Sequence, residues 1–354
     1  MRSKFTVFFV FLPCFILQAQ IPYRGYQCIV KSEFIFQPGE VVFPSCHAST
    51  IAETTEGLIA AWFGGTEERN PDVGIWISRF SNGVWSWPEE VITGFRNGIL
   101  YPCWNPVLFN TGDELLLFYK VGPNPAEWWG ELITSRDNGL SWSEKYKLPG
   151  GNIGPVKNKP VLPGNGFLLC PSSLESDGWR VRMEMTPDFG FTWKHTGFLN
   201  DKSLDVIQPS VLLHNDGKIQ ILCRSRQSEI YTSWSADSGR HWTRLKSSGL
   251  PNPNSGIDAT TLKDGRFFLV YNHLCQGRNI LNGAISDDGV KWEAAVLLEE
   301  GVREAEYSYP AVILSRDGLI HVTYTWNRKL IKHVVIDPLK IMSKPLINPQ
   351  WPFE

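Results

Sequence analysis

Short apolar runs broken by tight polar turns recur along the whole chain. Thr50–Phe63 turns at Glu56-Gly57, Pro106–Tyr119 at Thr111-Gly112 and Pro160–Cys170 at Gly164-Asn165-Gly166. Pro209–Cys223 turns at Asn215-Asp216-Gly217, Ala259–Tyr271 at Lys263-Asp264-Gly265 and Pro310–Tyr324 at Arg316-Asp317-Gly318. Asp-Gly and Asn-Gly between apolar runs predict hairpins, because their turns need φ > 0. No segment sustains a capped helical period. The pattern predicts six β-hairpins.

A second motif falls between the hairpins. It reads Ser135-Arg136-Asp137-Asn138-Gly139-Leu140-Ser141-Trp142 and returns at Thr186–Trp193, Ser235–Trp242 and, one residue shorter, Ser286–Trp292. The closing tryptophans stand at 142, 193, 242 and 292, steps of 51, 49 and 50 residues, with a degenerate copy at Ser78–Trp87. A period of this size indicates repeated supersecondary units. Six hairpins, each followed by further strands, predict an all-β fold, a six-bladed β-propeller of four-stranded antiparallel blades. The strand Glu33–Phe36 is expected to complete the sixth blade and remove the open edge. The tail Pro345–Glu354 reads as irregular. Within the tryptophan motif, Ser or Thr and Asp are expected to staple a turn and Trp to pack between strands of the blade. Its Asp137-Asn138-Gly139 run, which looks like a fragment of a calcium loop, lacks that loop's downstream bidentate Glu.

Composition narrows the class. Aromatics make up 13% of residues against 20% charged, which suits a sheet-rich globular protein and excludes a disordered one. The net charge of −2 offers no nucleic-acid or polybasic membrane footprint. Residues 1–20 read as a secretory signal: Arg2 and Lys4, an apolar run Phe5–Leu17, and a small-residue cleavage site near Ala19-Gln20. The run is short for a membrane span. The expectation is a secreted or periplasmic monomer with a single propeller domain over residues 21–354 and no membrane insertion. Six of the seven cysteines follow the signal, none in a C-x-x-C pair. They read as buried free thiols, and no metal or cofactor is expected.

Inner strands and the loops above them surround the central funnel of a propeller. They carry His47, Asp72, Trp104, Asn105, Lys157, Lys159, Gln208, Arg224, Arg226, Asn254, Asp258, Arg278, His273 and Tyr307. Several cations converging on one axis suit a carboxylate- or sulfate-bearing sugar, and Trp104 has two readings, stacking on a sugar ring or packing within the blades.

The S-x-D-x-G-x-x-W motif resembles the Asp-box, or BNR repeat, of the sialidase superfamily, whose members are six-bladed propellers. The resemblance covers essentially the whole chain after the signal. It implies an acid/base role for Asp72, in Asn70-Pro71-Asp72-Val73, and a nucleophilic role for Tyr307, in Glu306-Tyr307-Ser308-Tyr309. It implies carboxylate-binding arginines at Arg224 or Arg226 and at Arg278. Two positions depart from the family. His47 stands where the first-blade arginine is expected, and Gln208 where a glutamate would activate the tyrosine. A neutral Gln cannot take the tyrosine proton, so ordinary sialidase activity is not expected. Two routes on an acidic oligosaccharide remain. One is hydrolysis with Asp72 as general acid/base and Tyr307 or a water attacking. The other is elimination on a uronate, with His47 or Tyr307 removing the C5 proton. A sugar-binding propeller without catalysis is the third reading, disfavoured by His47, Asp72 and Tyr307 together.

Overall fold

The computed structural model describes residues 27–346 and 351–352, so the signal segment lies outside the described residues. Six antiparallel sheets radiate from one axis, and no α-helix occurs among the described residues. The hairpins predicted from the apolar runs form the first two strands of each blade. They are Ser45–Glu53 with Leu58–Gly65, Cys103–Asn110 with Leu115–Val121, and Val206–Leu213 with Ile219–Ser225. Asp258–Thr261 pairs with Phe267–Tyr271, and Tyr307–Leu314 with Ile320–Trp326. In the third blade the inner strand is reduced to a single bridge, Val161 to Leu169, so that sheet has three named strands rather than four.

Closure takes place in the sixth blade. Ile29–Phe34 pairs antiparallel with Leu330–Ile336 and becomes the outermost strand, placing Glu33 opposite His333. The predicted strand at Glu33–Phe36 therefore begins and ends earlier, but does the expected job of covering the edge. Part of the tail is not irregular: Lys344–Pro345 adds to the fifth blade beside Glu293–Ala294.

Apolar clusters fill the spaces between blades. Trp142 packs with Ile59 and Leu115, from the first and second blades, and Trp193 joins Phe118 and Leu168 from the second and third. Trp242 and Trp292 occupy the next two seams. The tryptophans thus pack between blades, not only between strands of one blade, and a large aromatic surface is well spent there. The polar part of the motif is a staple. Gly139 N–H donates to Ser135 Oγ at 2.8 Å, Ser135 Oγ to Asp137 Oδ1 at 2.7 Å, and Ser141 N–H to the same oxygen at 2.9 Å. The copies at Thr186, Ser235 and Ser286 repeat this set.

All six described cysteines are free, five of them buried and Cys275 exposed. The inner strands are pinned across the axis by buried charge. Asp258 accepts from Ser210 Oγ at 2.7 Å, from Val312 N–H at 2.8 Å and from Lys159 Nζ at 2.9 Å, joining the third to sixth blades. Lys157 Nζ donates to Ile257 O at 2.7 Å, to Asn158 Oδ1 at 2.9 Å and to Pro310 O. Burial pushes the Lys157 amine down to about 7, partly offset by Asp258.

Candidate functional site

Propeller topology sorts the loops by face. Links from the second to the third strand, and from one blade to the next, emerge on one face; the Asp-Gly turns and tryptophan motifs emerge on the other. The first face gathers a polar cluster around the inner ends of the first, fourth, fifth and sixth blades.

Arg224 is its centre. It is the penultimate residue of the second strand of the fourth blade and is only 5% exposed. Its Nε donates to Asn254 Oδ1 at 3.0 Å, and its Nη2 to the same oxygen at 2.7 Å and to Asn254 O at 2.9 Å. Nη1 donates to Gln208 Oε1 at 3.2 Å and to the Tyr309 hydroxyl at 2.5 Å. Every one of these acceptors is neutral. A buried guanidinium without a carboxylate hydrogen-bonded to it is costly, and burial lowers its pKa, Tyr309 offsetting part of that.

Two more arginines stand beside it. Arg278, from the fifth-blade loop, donates from Nη1 to Glu306 Oε1 at 2.9 Å and from Nη2 to Asn254 O at 3.0 Å. Arg328, in the sixth-blade turn, donates from Nε to Glu306 Oε2 at 3.1 Å and pairs with Glu68 of the first blade. Burial opposes ionisation of Glu306, but Arg328 and Arg278 outweigh it and hold its pKa low. One carboxylate is therefore shared by two guanidiniums. The Tyr309 ring lies 5.4 Å from Arg224 and 5.8 Å from Arg278. Gly256 permits this placement, since a Cβ there would meet the Tyr309 ring at 3.2 Å.

His47 closes the cluster, its ring centroid 4.1 Å from that of Tyr309. It is 3% exposed, and neither ring nitrogen has a hydrogen-bond partner. Burial, followed by Arg328, Arg278, Arg224 and Lys157, holds its pKa well below the ordinary 6.5. It is a neutral imidazole with a free lone pair.

A carboxyl of opposite tendency faces Arg224 from the third blade. Burial raises the pKa of Glu175, and Arg224, hydrogen bonding from Trp179, and Arg226 lower it only in part. The site thus combines an acid inclined to keep its proton with a base inclined to stay neutral.

The sequence-derived candidates divide accordingly. His47, Gln208, Arg224, Asn254 and Arg278 come together. Arg226 lies at the rim, 4.1 Å from the Trp179 ring and 3.3 Å from Asp205. Asp72 is exposed on the first-blade loop that also carries Glu68, and accepts from Thr66 N–H at 2.9 Å. Tyr307 is displaced from its expected place: it packs in the core of the closing blades, its ring 6.1 Å from Trp326, and Tyr309 faces the arginines instead. Trp104 is not open to a sugar, being buried against Phe63 and Trp128 with its indole donating to Gly122 O at 2.8 Å. Lys157, Lys159 and Asp258 are the interblade pins described above. Asn105 is buried at the kink of the second inner strand. His273 is bound to the Tyr271 hydroxyl and packs against Trp351. Tyr309, Arg328, Glu306, Glu68 and Glu175 join the site beyond the sequence-derived candidates. All but Tyr309 and Glu306 lie on second-to-third-strand links, and Glu306 immediately precedes an inner strand.

A family model described as BNR repeat-like domain matches residues 56–322. No curated protein matches the chain. Among solved structures, the chain is similar to a protein of unknown function from Dyadobacter fermentans, with 15% identity, a TM-score of 0.72 and coverage of 87% of this chain and 98% of that one. It is similar to a Hadza microbial sialidase at 15% identity and a TM-score of 0.75, covering 88% and 69%. It is also similar to the intramolecular trans-sialidase of Ruminococcus gnavus, solved with oseltamivir carboxylate, at 13% identity and a TM-score of 0.69, covering 91% and 100%. These likenesses show a shared sialidase-type propeller fold.

Proposed function

The chain belongs to the BNR repeat-like domain family, and from that premise we propose that it is a glycoside-hydrolase-like enzyme that takes an acidic sugar, of uronate or sialate type, into the Arg224 cluster. The signal-like first 20 residues support action outside the cytoplasm. The observation that carries the reading is the Arg224 guanidinium, buried and held only by neutral acceptors. A sugar carboxylate would supply the missing counter-charge through forked, charge-assisted bonds. Arg278 and Arg328 beside it are balanced by Glu306 and Glu68, so the guanidinium at the mouth without a hydrogen-bonded carboxylate is that of Arg224.

Hydrolysis needs a proton for the leaving oxygen and a nucleophile at the anomeric carbon. Glu175, with its raised pKa, supports the first role, and Asp72 on the exposed loop is the other donor. Tyr309 supports the second: His47, packed against its ring, would take the phenol proton as the oxygen attacks, and Arg224, which donates to that oxygen, would stabilise its phenolate character.

One observation favours elimination as a second reading. His47 is neutral, has both nitrogens free and stands against Tyr309. On a uronate whose carboxylate is neutralised by arginine, His47 would take the C5 proton. The electron pair would form the C4–C5 double bond, and the group on O4 would leave with a proton from Tyr309.

The experiment is a screen of sialate-, uronate- and neutral-capped glycans with the wild type and Arg224→Met. Acidic caps should be released, and the variant should lose about 100-fold in kcat/KM. Equal release of neutral caps by both proteins would overturn the acidic-sugar reading. An ultraviolet band of an unsaturated uronate in the product would replace hydrolysis by elimination.

A further inference from the structure

We propose that the rim between the third and fourth blades carries a second cationic subsite, which binds the continuing chain of an acidic oligosaccharide. The inference rests on the reading of the Arg224 cluster as an acidic-sugar site, and extends its substrate class from a lone acidic cap to a polyanionic chain.

Trp179 is the hinge of the argument. It ends the third-blade loop with Arg224 5.2 Å and Arg226 4.1 Å from its ring. Asp205 fixes the pair, accepting from Trp179 N–H at 3.2 Å and from Arg226 Nη1 at 3.3 Å, while its carbonyl accepts from Arg226 N–H at 3.1 Å. The next residue, Arg180, belongs to a neighbouring cleft of about 290 Å³. Its guanidinium covers the Phe198 ring at 4.2 Å, and its Nε donates to Asn200 O at 2.7 Å. Arg244, from the fourth blade, lines the other side of that cleft.

Two guanidinium pairs therefore meet at the Trp179-Arg180 step, Arg224 and Arg226 at the Trp179 ring and Arg180 and Arg244 in the adjoining cleft. The carboxylates among them are Asp205, which holds Arg226, and Asp201, which lies within electrostatic reach of Arg244 and Arg180. Glu175, whose pKa is raised by burial and lowered in part by Arg224 and Arg226, is the third. Asp177 at the loop tip is paired with Lys202. The balance across the two pairs is positive in a chain whose net charge is −2, so the positive charge is local. Flat guanidinium-covered aromatic faces beside polar side chains suit successive acidic pyranose rings, with arginine forks for each carboxylate.

The test is a length series of uronate oligosaccharides with wild type and Arg180→Gln/Arg244→Gln. The side chains of Arg180 and Arg244 lie in the cleft, Arg180 against Phe198 and Asn200, and not on the Arg224 guanidinium. Turnover and direct calorimetric binding are both read. In the wild type, KM should fall with chain length, and the gain should shrink with added salt. In the double variant, KM for the longer chains should rise about tenfold, with kcat and the shortest cleaved substrate unchanged. Turnover that is indifferent to length, or equal KM values in the two proteins, overturns the rim subsite and leaves the cluster reading intact. Length-dependent binding that is lost in the double variant, without turnover in either protein, supports the rim and overturns the enzymatic reading. No binding of any length in the wild type overturns both.

Discussion

Acid should loosen the closing blade through one pair of histidines. His321 and His333 stack with ring centroids 5.2 Å apart and planes 6° from parallel. His321 Nδ1 lies 3.0 Å from His333 Nε2, and His333 Nδ1 lies 3.1 Å from Glu33 of the N-terminal strand. Glu33 accepts, so His333 carries its proton on Nδ1 and must accept at Nε2; His321 therefore donates from Nδ1. Both rings are neutral in this arrangement. Burial, then the facing His333, pushes His321 down from the ordinary 6.5 to about 4, with Asp317 offsetting part. The sign follows from linkage. Between these values the unfolded chain binds a proton that the folded one refuses, so stability is full above 6.5 and is lost as pH falls toward 4. The gap is worth about 3 kcal/mol when fully titrated, of which about 2 kcal/mol is gone by about pH 5. His333 itself, His47 and His214 also have lowered pKa values, so the contribution must be isolated by difference. In His321→Asn the amide can still donate to His333 but cannot titrate. Urea unfolding at about pH 7.5 and about pH 5 should show the wild type losing about 2 kcal/mol more than this variant. Equal losses in the two proteins would refute the reasoning.

Two further outcomes follow from the placements. Tyr309→Phe should abolish turnover of an acidic-capped glycan with little change in Tm, whereas Tyr307→Phe should leave turnover intact, because the Tyr307 ring is packed in the blade core; the reverse pattern, read by parallel kinetics and melting, would restore Tyr307 to the site. Asp258→Asn should cost about 3–5 kcal/mol in chemical unfolding, since it leaves Lys159 without its buried counter-charge and weakens the tie to Ser210 and Val312; a loss under about 1 kcal/mol would show that the interblade pin is not structural.

The blade count was legible because hairpin turns and tryptophan staples are local devices. Each is specified within a dozen residues by glycine, Asx chemistry and apolar alternation. The cluster is not local. Arg328 sits in the turn Asn327-Arg328, where both residues have positive φ, and such a turn reads in sequence as solvated surface. In the closed ring it stands over the first blade, where it pairs with Glu68 and its carbonyl accepts from Cys46 N–H. Glu175 and Arg278 lie on equivalent links. The parity rule was available from the predicted hairpins: if Asp-Gly turns mark one face, second-to-third-strand links mark the other. Applied to the sequence, it would have ranked Glu68, Glu175 and Arg328 above Trp104 and Lys159.

Tyr309 needs a different explanation, because strict alternation puts residues 307 and 309 on the same side of a strand. The inner strands do not alternate strictly. Between Ser308 and Ala311 the pairing slips, so that Tyr309 and Pro310 together oppose a single residue. Tyr309 takes φ 53°, and Ala48, Asn105, Lys157 and Gln208 take positive φ at the corresponding points of four other blades. For non-glycine residues, three of them (Asn105, Gln208 and Tyr309) before proline, this conformation costs about 1–3 kcal/mol each. Strain shared by so many blades belongs to the architecture and does not by itself mark a site: Ala48 has no functional side chain to aim, and Lys157 is tied down on the axis. The cluster arises where the shared kink carries a polar side chain that reaches Arg224. Gln208 does so through its amide oxygen and Tyr309 through its hydroxyl. The bonds to one buried guanidinium hold both kinked residues, and the kinks in turn fix the phenol over the arginines.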